Sequence, residues 1–135
     1  EIVLTLTLLL LVMLPLGLVT SMAIEDWQRG RNIRALQEDI HLASFAIKGV
    51  IEEAYNYSLG EEGESITLAL EEGEEVTIQR DGTELLIGDK TYVDYLDELD
   101  FETYATGTVK VHLSLTSSGQ TQENTFIVNL RNFSQ

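Results

Sequence analysis

The sequence predicts an α+β fold, in which a long N-terminal α-helix is followed by a small antiparallel β domain. Residues 1–24 are mostly apolar and carry a charged side chain only at Glu1. Residues 25–58 keep apolar side chains at helical spacing, and residues 59–135 alternate apolar and polar side chains between turns. These three segments are therefore predicted to be an apolar helix, its amphipathic continuation and a globular β domain.

The apolar helix is predicted from Ile2 to Ile24, a run of 23 residues without an ionisable side chain. As an α-helix it would be about 35 Å long, which is enough to cross a hydrocarbon core of about 30 Å. It is longer than the apolar part of a cleaved signal peptide. Because Pro15 lacks a backbone donor and Gly17 follows it, we expect a kink or a locally loosened turn near the middle. The segment is predicted to be a membrane-competent helix.

The amphipathic continuation is predicted from apolar side chains that recur in steps of three and four residues. They are Ile33, Leu36, Ile40, Ala43, Ile47, Val50, Ala54 and Tyr57. Since no proline follows Pro15, we expect the helix to continue to about residue 58 and to stop at Gly60. This stripe is the predicted surface on which the β domain packs.

The β domain is predicted from alternating segments at 65–70, 75–79, 84–87, 108–115 and 125–130, with a sixth candidate strand at 90–93. Asp81 and Gly82 form a hairpin turn signature between two of these strands. Residues 95–104 are predicted to form a loop or one short helical turn. The strands indicate an antiparallel sheet that is too small to be stable without the helix stripe.

The composition excludes several classes of function. The formal net charge is −15, and 17 of the 23 acidic residues lie between Glu52 and Glu102, which disfavours nucleic acid as a partner. The absence of cysteine excludes disulfides, thiolate zinc sites and cysteine nucleophiles. With two histidines, the sequence also has little material for a histidine metal site or a catalytic relay. We expect no enzymatic activity and no cofactor.

The first turns of the apolar helix, EIVLTLTLLLL, resemble the mature N-terminal helix of type IV pilin-like proteins. The resemblance in layout covers the whole chain, and the resemblance in motif covers about 25 residues. It implies a subunit that a prepilin peptidase releases from its leader and that the membrane holds before the assembly machinery adds it to a filament of identical subunits. The residues implied in assembly are Glu1, Ile2, Leu4, Leu8, Leu11, Pro15 and Gly17.

Glu1 matches the glutamate that the family carries just inside its mature N-terminus. In the family that glutamate normally follows a few residues and pairs with the amine of a neighbouring subunit, whereas Glu1 is the first residue of this sequence. A carboxylate at the edge of a hydrocarbon region is costly without a partner, and a helix N-terminus favours negative charge. We expect Glu1 either to take part in assembly or to lie solvated at a membrane boundary.

The acidic, cysteine-free and threonine-rich β domain is more similar to archaeal adhesion pilins than to bacterial ones. Arg29, Arg31 and Arg34 follow the apolar segment, and the positive-inside rule alone would place the β domain in the cytoplasm. An extracellular filament on the cell surface requires the opposite orientation, which a removed basic leader would have to set. In a filament these arginines could pair with acidic side chains of adjacent helices.

Three further features have both a functional and a plain structural interpretation. The sequons at Asn56 and Asn132 predict glycosylation of an exterior surface, although sequons also arise by chance. Asp94, Asp97 and Asp100, with Glu98 and Glu102, could collect calcium, but they lack the glycine-punctuated spacing of a calcium loop, so a solvated acidic face is favoured. The five tyrosines are expected to pack between helix and sheet.

Two alternatives to a major filament subunit stay open from the sequence. A minor pseudopilin of a secretion or uptake system would share the fold and differ in copy number. A monomeric membrane-anchored extracellular binding domain would use the apolar helix only as an anchor, and would not need a helix that continues for another 30 residues.

Overall fold

The computed structural model describes residues 1–131 and Phe133. It confirms the predicted fold class, since one long N-terminal helix, α1, spans Ile2–Glu53 and two antiparallel sheets follow it. The chain divides into two compact units, Glu1–Arg34 and Ala35–Gln135. The first unit consists of the N-terminal part of α1, and the second contains the rest of the helix and both sheets.

In the first unit, α1 continues through Pro15 and Gly17. The predicted weak point therefore does not end the helix. Proline removes one backbone donor, the one that would reach the carbonyl of Leu11, while the neighbouring turns keep their hydrogen bonds. The Thr20 hydroxyl adds a hydrogen bond to the Leu16 carbonyl at 2.8 Å just after this point.

In the second unit, the helix from Ala35 onward buries one face in the core. Its buried residues are Leu36, Ile40, Ala43, Ser44, Ile47 and Ile51. Val50 is half-buried against the same core, and Ile33, which belongs to the first unit, is also half-buried. Sequence reasoning missed Ile51, which is fully buried one position after the predicted Val50.

The helix ends at Glu53, five residues before the predicted residue 58, and this prediction is corrected. Residues Asn56–Leu59 form strand β1, so Tyr57 lies on a strand and not on the helix. The reason is that the backbone here finds partners in the sheet: the Tyr55 amide donates to the Ala69 carbonyl at 3.0 Å, and Tyr57 is paired with Leu68. Aromatic side chains also favour strands.

The first sheet has five strands in sequential antiparallel order, β1-β2-β3-β4-β5. The remaining strands are β2 at Ser65–Ala69, β3 at Glu75–Asp81, β4 at Glu84–Ile87 and β5 at Lys90–Val93. Two Glu-Glu-Gly turns, Glu61–Gly63 and Glu71–Gly73, precede β2 and β3. Gly73 has a φ of 80°, a left-handed conformation that glycine adopts without strain.

The second sheet has three antiparallel strands, β6 at Leu96–Ala105, β7 at Thr108–Ser117 and β8 at Gln120–Asn129. The prediction of a loop or helical turn at 95–104 is therefore wrong. The ladder between β6 and β7 shifts register between Leu96 and Glu98, so the buried side chains Leu96 and Leu99 are three residues apart. This irregularity breaks the alternation by which a strand is recognised in sequence.

The core of the second unit lies between the helix and the inward faces of the two sheets. Its largest fully buried side chains include Phe101 on β6, Ile66 on β2, Ile78 on β3 and Ile47 on the helix. The predicted packing of the helix stripe on the β strands is thus seen for Leu36, Ile40 and Ile47. The helix closes the core that the small sheets would leave open.

Candidate functional site

The candidate site is the surface of α1 from Ile2 to Ile24, where every side chain is exposed. Sixteen large apolar side chains there are at least half exposed. They include the four sequence-predicted assembly residues Ile2, Leu4, Leu8 and Leu11. A contiguous apolar surface of this extent is far larger than the scattered apolar side chains found on the surface of a soluble protein.

The three threonine hydroxyls of this segment are satisfied by the helix itself. The hydroxyls of Thr5 and Thr7 donate to the carbonyls of Glu1 and Val3, at 2.9 and 2.7 Å. Such bonds to the carbonyl four residues earlier remove the hydroxyl's need for water. These two threonines and Thr20, whose hydroxyl bonds to the Leu16 carbonyl, therefore do not interrupt the apolar surface.

Pro15 and Gly17 lie exposed in the middle of this surface. A Cβ placed on Gly17 would meet nothing within 4 Å, so no contact within the chain requires a glycine there. Proline also leaves a carbonyl one turn earlier without its helical donor. Because Gly17 has no side chain, the apolar surface is narrower at this level of the helix.

Glu1 lies at the N-terminal end of α1, where the helix dipole favours its negative charge. Its carbonyl oxygen accepts hydrogen bonds from the Thr5 amide at 3.0 Å and from the Thr5 hydroxyl. Within residues 1–131 and Phe133, no ion pair includes the Glu1 carboxylate. The geometry leaves this carboxylate available to a group from outside the described chain.

The other end of the apolar surface is marked by Trp27 and the arginines. The guanidinium of Arg31 lies over the Trp27 ring, 5.1 Å from its centroid, in a cation–π contact. Trp27 is nevertheless 63% exposed. Tryptophan and arginine at the end of an apolar helix are typical of the boundary between hydrocarbon and water.

The structure brings the remaining sequence-predicted residues to separate places on the second unit. Asn56 is exposed at the start of β1, and its side-chain oxygen accepts a hydrogen bond from the Tyr57 amide at 2.8 Å. Asn132 lies outside the described residues. Among the described residues, no group of three acidic or histidine side chains is placed to hold a metal ion, and this includes Asp94, Asp97 and Asp100.

Two features were missed by sequence reasoning. The first is a hollow of about 420 Å³ lined mainly by carboxylates, namely Glu52, Glu53, Glu71, Glu72 and Glu74, with Arg131 bound to Glu52 at 3.1 Å. The repeated Glu-Glu motif was the sequence signal for it. The second is an exposed apolar pair on the helix of the second unit, Leu42 at 60% and Phe45 at 78% exposure. Their spacing of three residues was the available signal.

The segment from Ile2 to Ile24 is thus suited to lie in an apolar surrounding. By length and composition α1 contains one segment that could cross a membrane, and the most apolar part of that segment has no buried residue. No family model, curated protein or solved structure matches the chain.

Proposed function

We propose that the chain is a structural subunit of an extracellular filament of the type IV pilin kind, similar to archaeal adhesion pilins. The N-terminal helix would hold the subunit in the membrane before assembly and would then pack against copies of itself. The filament would serve adhesion or surface attachment. The observation that carries this proposal is the continuous, exposed apolar surface from Ile2 to Ile24.

The energetics of this surface support the proposal. Full burial of one large apolar side chain contributes about 1.5–3 kcal/mol. For sixteen such side chains, exposure to water forgoes on the order of 25 kcal/mol, which exceeds the 5–15 kcal/mol that stabilises a typical domain. The segment therefore requires either lipid or other apolar protein around it. Such a subunit meets lipid before assembly and the apolar helices of other copies in the filament.

The continuation of the helix distinguishes a filament subunit from a plain anchor. A single-pass anchor needs only a span of about 20 residues and a polar end at the membrane surface. Here α1 extends to Glu53, and from Ala35 onward it also forms one side of the core of the second unit. A helix that is both the apolar segment and part of the globular core suits a subunit whose globular part is carried on the outside of a helix bundle.

The charge distribution supports an outer position for the second unit. Residues 35–135 contain 20 acidic and five basic residues and therefore carry the whole net charge of −15. Such a surface is well solvated in water and is repelled by anionic lipid headgroups. This is the arrangement expected when the apolar segment is inside the filament and the β domain faces the medium.

The proposal is tested by electron microscopy of material sheared from cells that make the protein. Thin helical filaments whose mass spectrum contains this chain are the expected result. If the chain is found only as dispersed monomers in the membrane fraction, the filament proposal fails and the alternative of a monomeric anchored binding domain takes its place. A chain found at a few copies per filament would instead identify a minor pseudopilin.

A further inference from the structure

The helix carries two stripes of the same spacing, separated by eighteen residues. The first stripe is Ile24, Trp27, Arg31 and Arg34, and the second is Leu42, Phe45, Gly49 and Glu52. Both follow steps of three, four and three residues, so each lies along one face of its own helix segment. Eighteen residues correspond to five helical turns, or about 27 Å along the axis.

The apolar side chains of the second stripe, Leu42 and Phe45, are exposed among the described residues. Phe45 and Leu42 are the most exposed large apolar side chains of the helix from Ala35 onward. Gly49 continues the stripe, and a Cβ built on it would meet nothing within 4 Å, so this position is an open notch. Burial of Phe45 in the core is not possible in this fold, because the core lies against the opposite face that carries Ile40 and Ile47.

The first stripe has the complementary chemistry. Trp27 is exposed and stacked with Arg31, and Arg34 is exposed beside them. Within residues 1–131 and Phe133, no ion pair includes Arg31 or Arg34. Three of the eight basic residues lie between Arg29 and Arg34, whereas the second unit is strongly acidic. The arginines between Arg29 and Arg34 of one copy are therefore attracted to the acidic second unit of another copy.

We propose that the partner of the second stripe is a second copy of this chain, whose helix runs in the same direction, is shifted by eighteen residues and crosses the first helix at this contact, so that the two helices diverge on either side of it. This contact rests on the proposed filament. The pairs are Ile24 with Leu42, Trp27 with Phe45, Arg31 with Gly49, and Arg34 with Glu52. In this register the apolar and aromatic side chains meet each other, the arginine enters the glycine notch, and the second arginine reaches a carboxylate.

The proposed pair of Arg34 with Glu52 lies beside the acidic hollow and gives its carboxylates a role in the contact. Glu52 binds Arg131 at 3.1 Å and Lys48 at 3.9 Å within one copy. The hollow also contains Glu53, Glu71, Glu72 and Glu74, whose like charges repel each other. An arginine from a second copy would relieve this repulsion, and the contact therefore has an electrostatic reason as well as an apolar one.

The absence of cysteine makes a cross-linking experiment unambiguous. Two full-length variants, Trp27→Cys and Phe45→Cys, are mixed in equal amounts, assembled into filaments and mildly oxidised. Because a disulfide requires Cα atoms within about 7 Å, a dimer forms only where the two positions lie next to each other. We expect the mixed filaments to give several-fold more dimer than filaments of Trp27→Cys mixed with Tyr104→Cys, an exposed control position on β6.

The outcomes separate this contact from the proposed function. Filaments that form without an excess of the Trp27–Phe45 dimer over the control overturn the contact and leave the filament intact. Failure of the unmodified chain to form filaments overturns both. As a second measurement, Arg34→Glu and Glu52→Arg should each lower the filament mass several-fold, and the double variant should restore it; two losses that only add would also overturn the contact.

Discussion

The side-chain amide of Asn124 donates a hydrogen bond to the hydroxyl of Ser44 at 2.9 Å, which joins strand β8 to the helix of the second unit. Both groups are at least half-buried, and the two residues are 80 positions apart in the sequence. The bond lies at the edge of an otherwise apolar contact between helix and sheet. It fixes the rotation of the helix relative to β8, because a shifted helix would leave two buried polar groups without partners.

We expect Asn124→Ala to lower the free energy of unfolding by about 1 kcal/mol. Ser44→Ala is expected to cost less, because alanine has the better helix propensity. The double variant should show a coupling energy of about 0.5–1.5 kcal/mol between the two sites, measured by thermal or denaturant unfolding of the full chain in detergent. Ser58→Ala, at an exposed position on β1, serves as the control and should change little. Strictly additive effects would contradict the coupling.

A second prediction concerns Asp39, a half-buried carboxylate on the helix. Burial raises its pKa above the usual 3.8, and the charges of Glu38 and Asp94 raise it further. Because the pKa is higher in the folded state, folding disfavours the ionised carboxylate. The free energy of unfolding therefore falls as the pH rises through the folded-state pKa and Asp39 loses its proton. Asp39 therefore destabilises the fold at neutral pH.

The corresponding variant is Asp39→Asn, which removes the charge and keeps the shape. We expect a higher melting temperature than that of the parent chain at pH 7, and a difference that shrinks as the pH falls through the folded-state pKa of Asp39 and disappears below 3.8. Asp89→Asn, an exposed residue in the turn before β5, is the matched control and should show no such pH-dependent gain. A stabilisation by Asp39→Asn that persists unchanged at pH 3 would show that charge is not its cause.

The elements with regular patterns were predictable from sequence. The spacing of apolar residues predicts the buried helix stripe at Leu36, Ile40 and Ile47, and their alternation predicts strand β7. Both patterns are regular because each element buries one face against a single core. Strand β6 was not predictable in this way, because its register shift places Leu96 and Leu99 at helical spacing. The end of the helix was misplaced because only the pairing of Tyr57 with Leu68 decides it.

The candidate site likewise has one part that the sequence predicts and other parts that it does not. Its apolar segment needed only composition, because a run of 23 residues without an ionisable side chain is by itself long enough to predict a membrane-competent helix. The exposed pair Leu42 and Phe45 was not predicted, although helical spacing places both residues off the stripe that carries Ile40 and Ile47 and therefore away from the core. The acidic hollow needed the two Glu-Glu-Gly turns to be placed relative to the end of the helix.

A third prediction separates the apolar segment from the stability of the β domain. Leu8→Lys places a charge in the middle of the apolar surface, where such a charge costs about 2.5–3.5 kcal/mol in lipid. We expect the filament mass to fall several-fold, while the chain stays in the membrane fraction, because the other apolar side chains of the segment outweigh one charge. The melting temperature of the second unit should stay unchanged, because Leu8 is not among the residues of its core. Leu8→Ile is the matched control and should be retained in both fractions.

The last prediction concerns Glu1 and distinguishes its two interpretations. If its carboxylate pairs with a cation of a neighbouring subunit during assembly, Glu1→Gln removes the charge but keeps the size of the side chain. A pair that contributes about 1.4 kcal/mol changes an equilibrium about tenfold. We therefore expect a loss of filament mass of about that size, with the monomer still present in the membrane fraction. Glu1→Asp, which keeps the charge, should retain part of the yield. Normal filament yield from Glu1→Gln would leave Glu1 as a solvated charge at the membrane boundary and would remove it from the assembly mechanism.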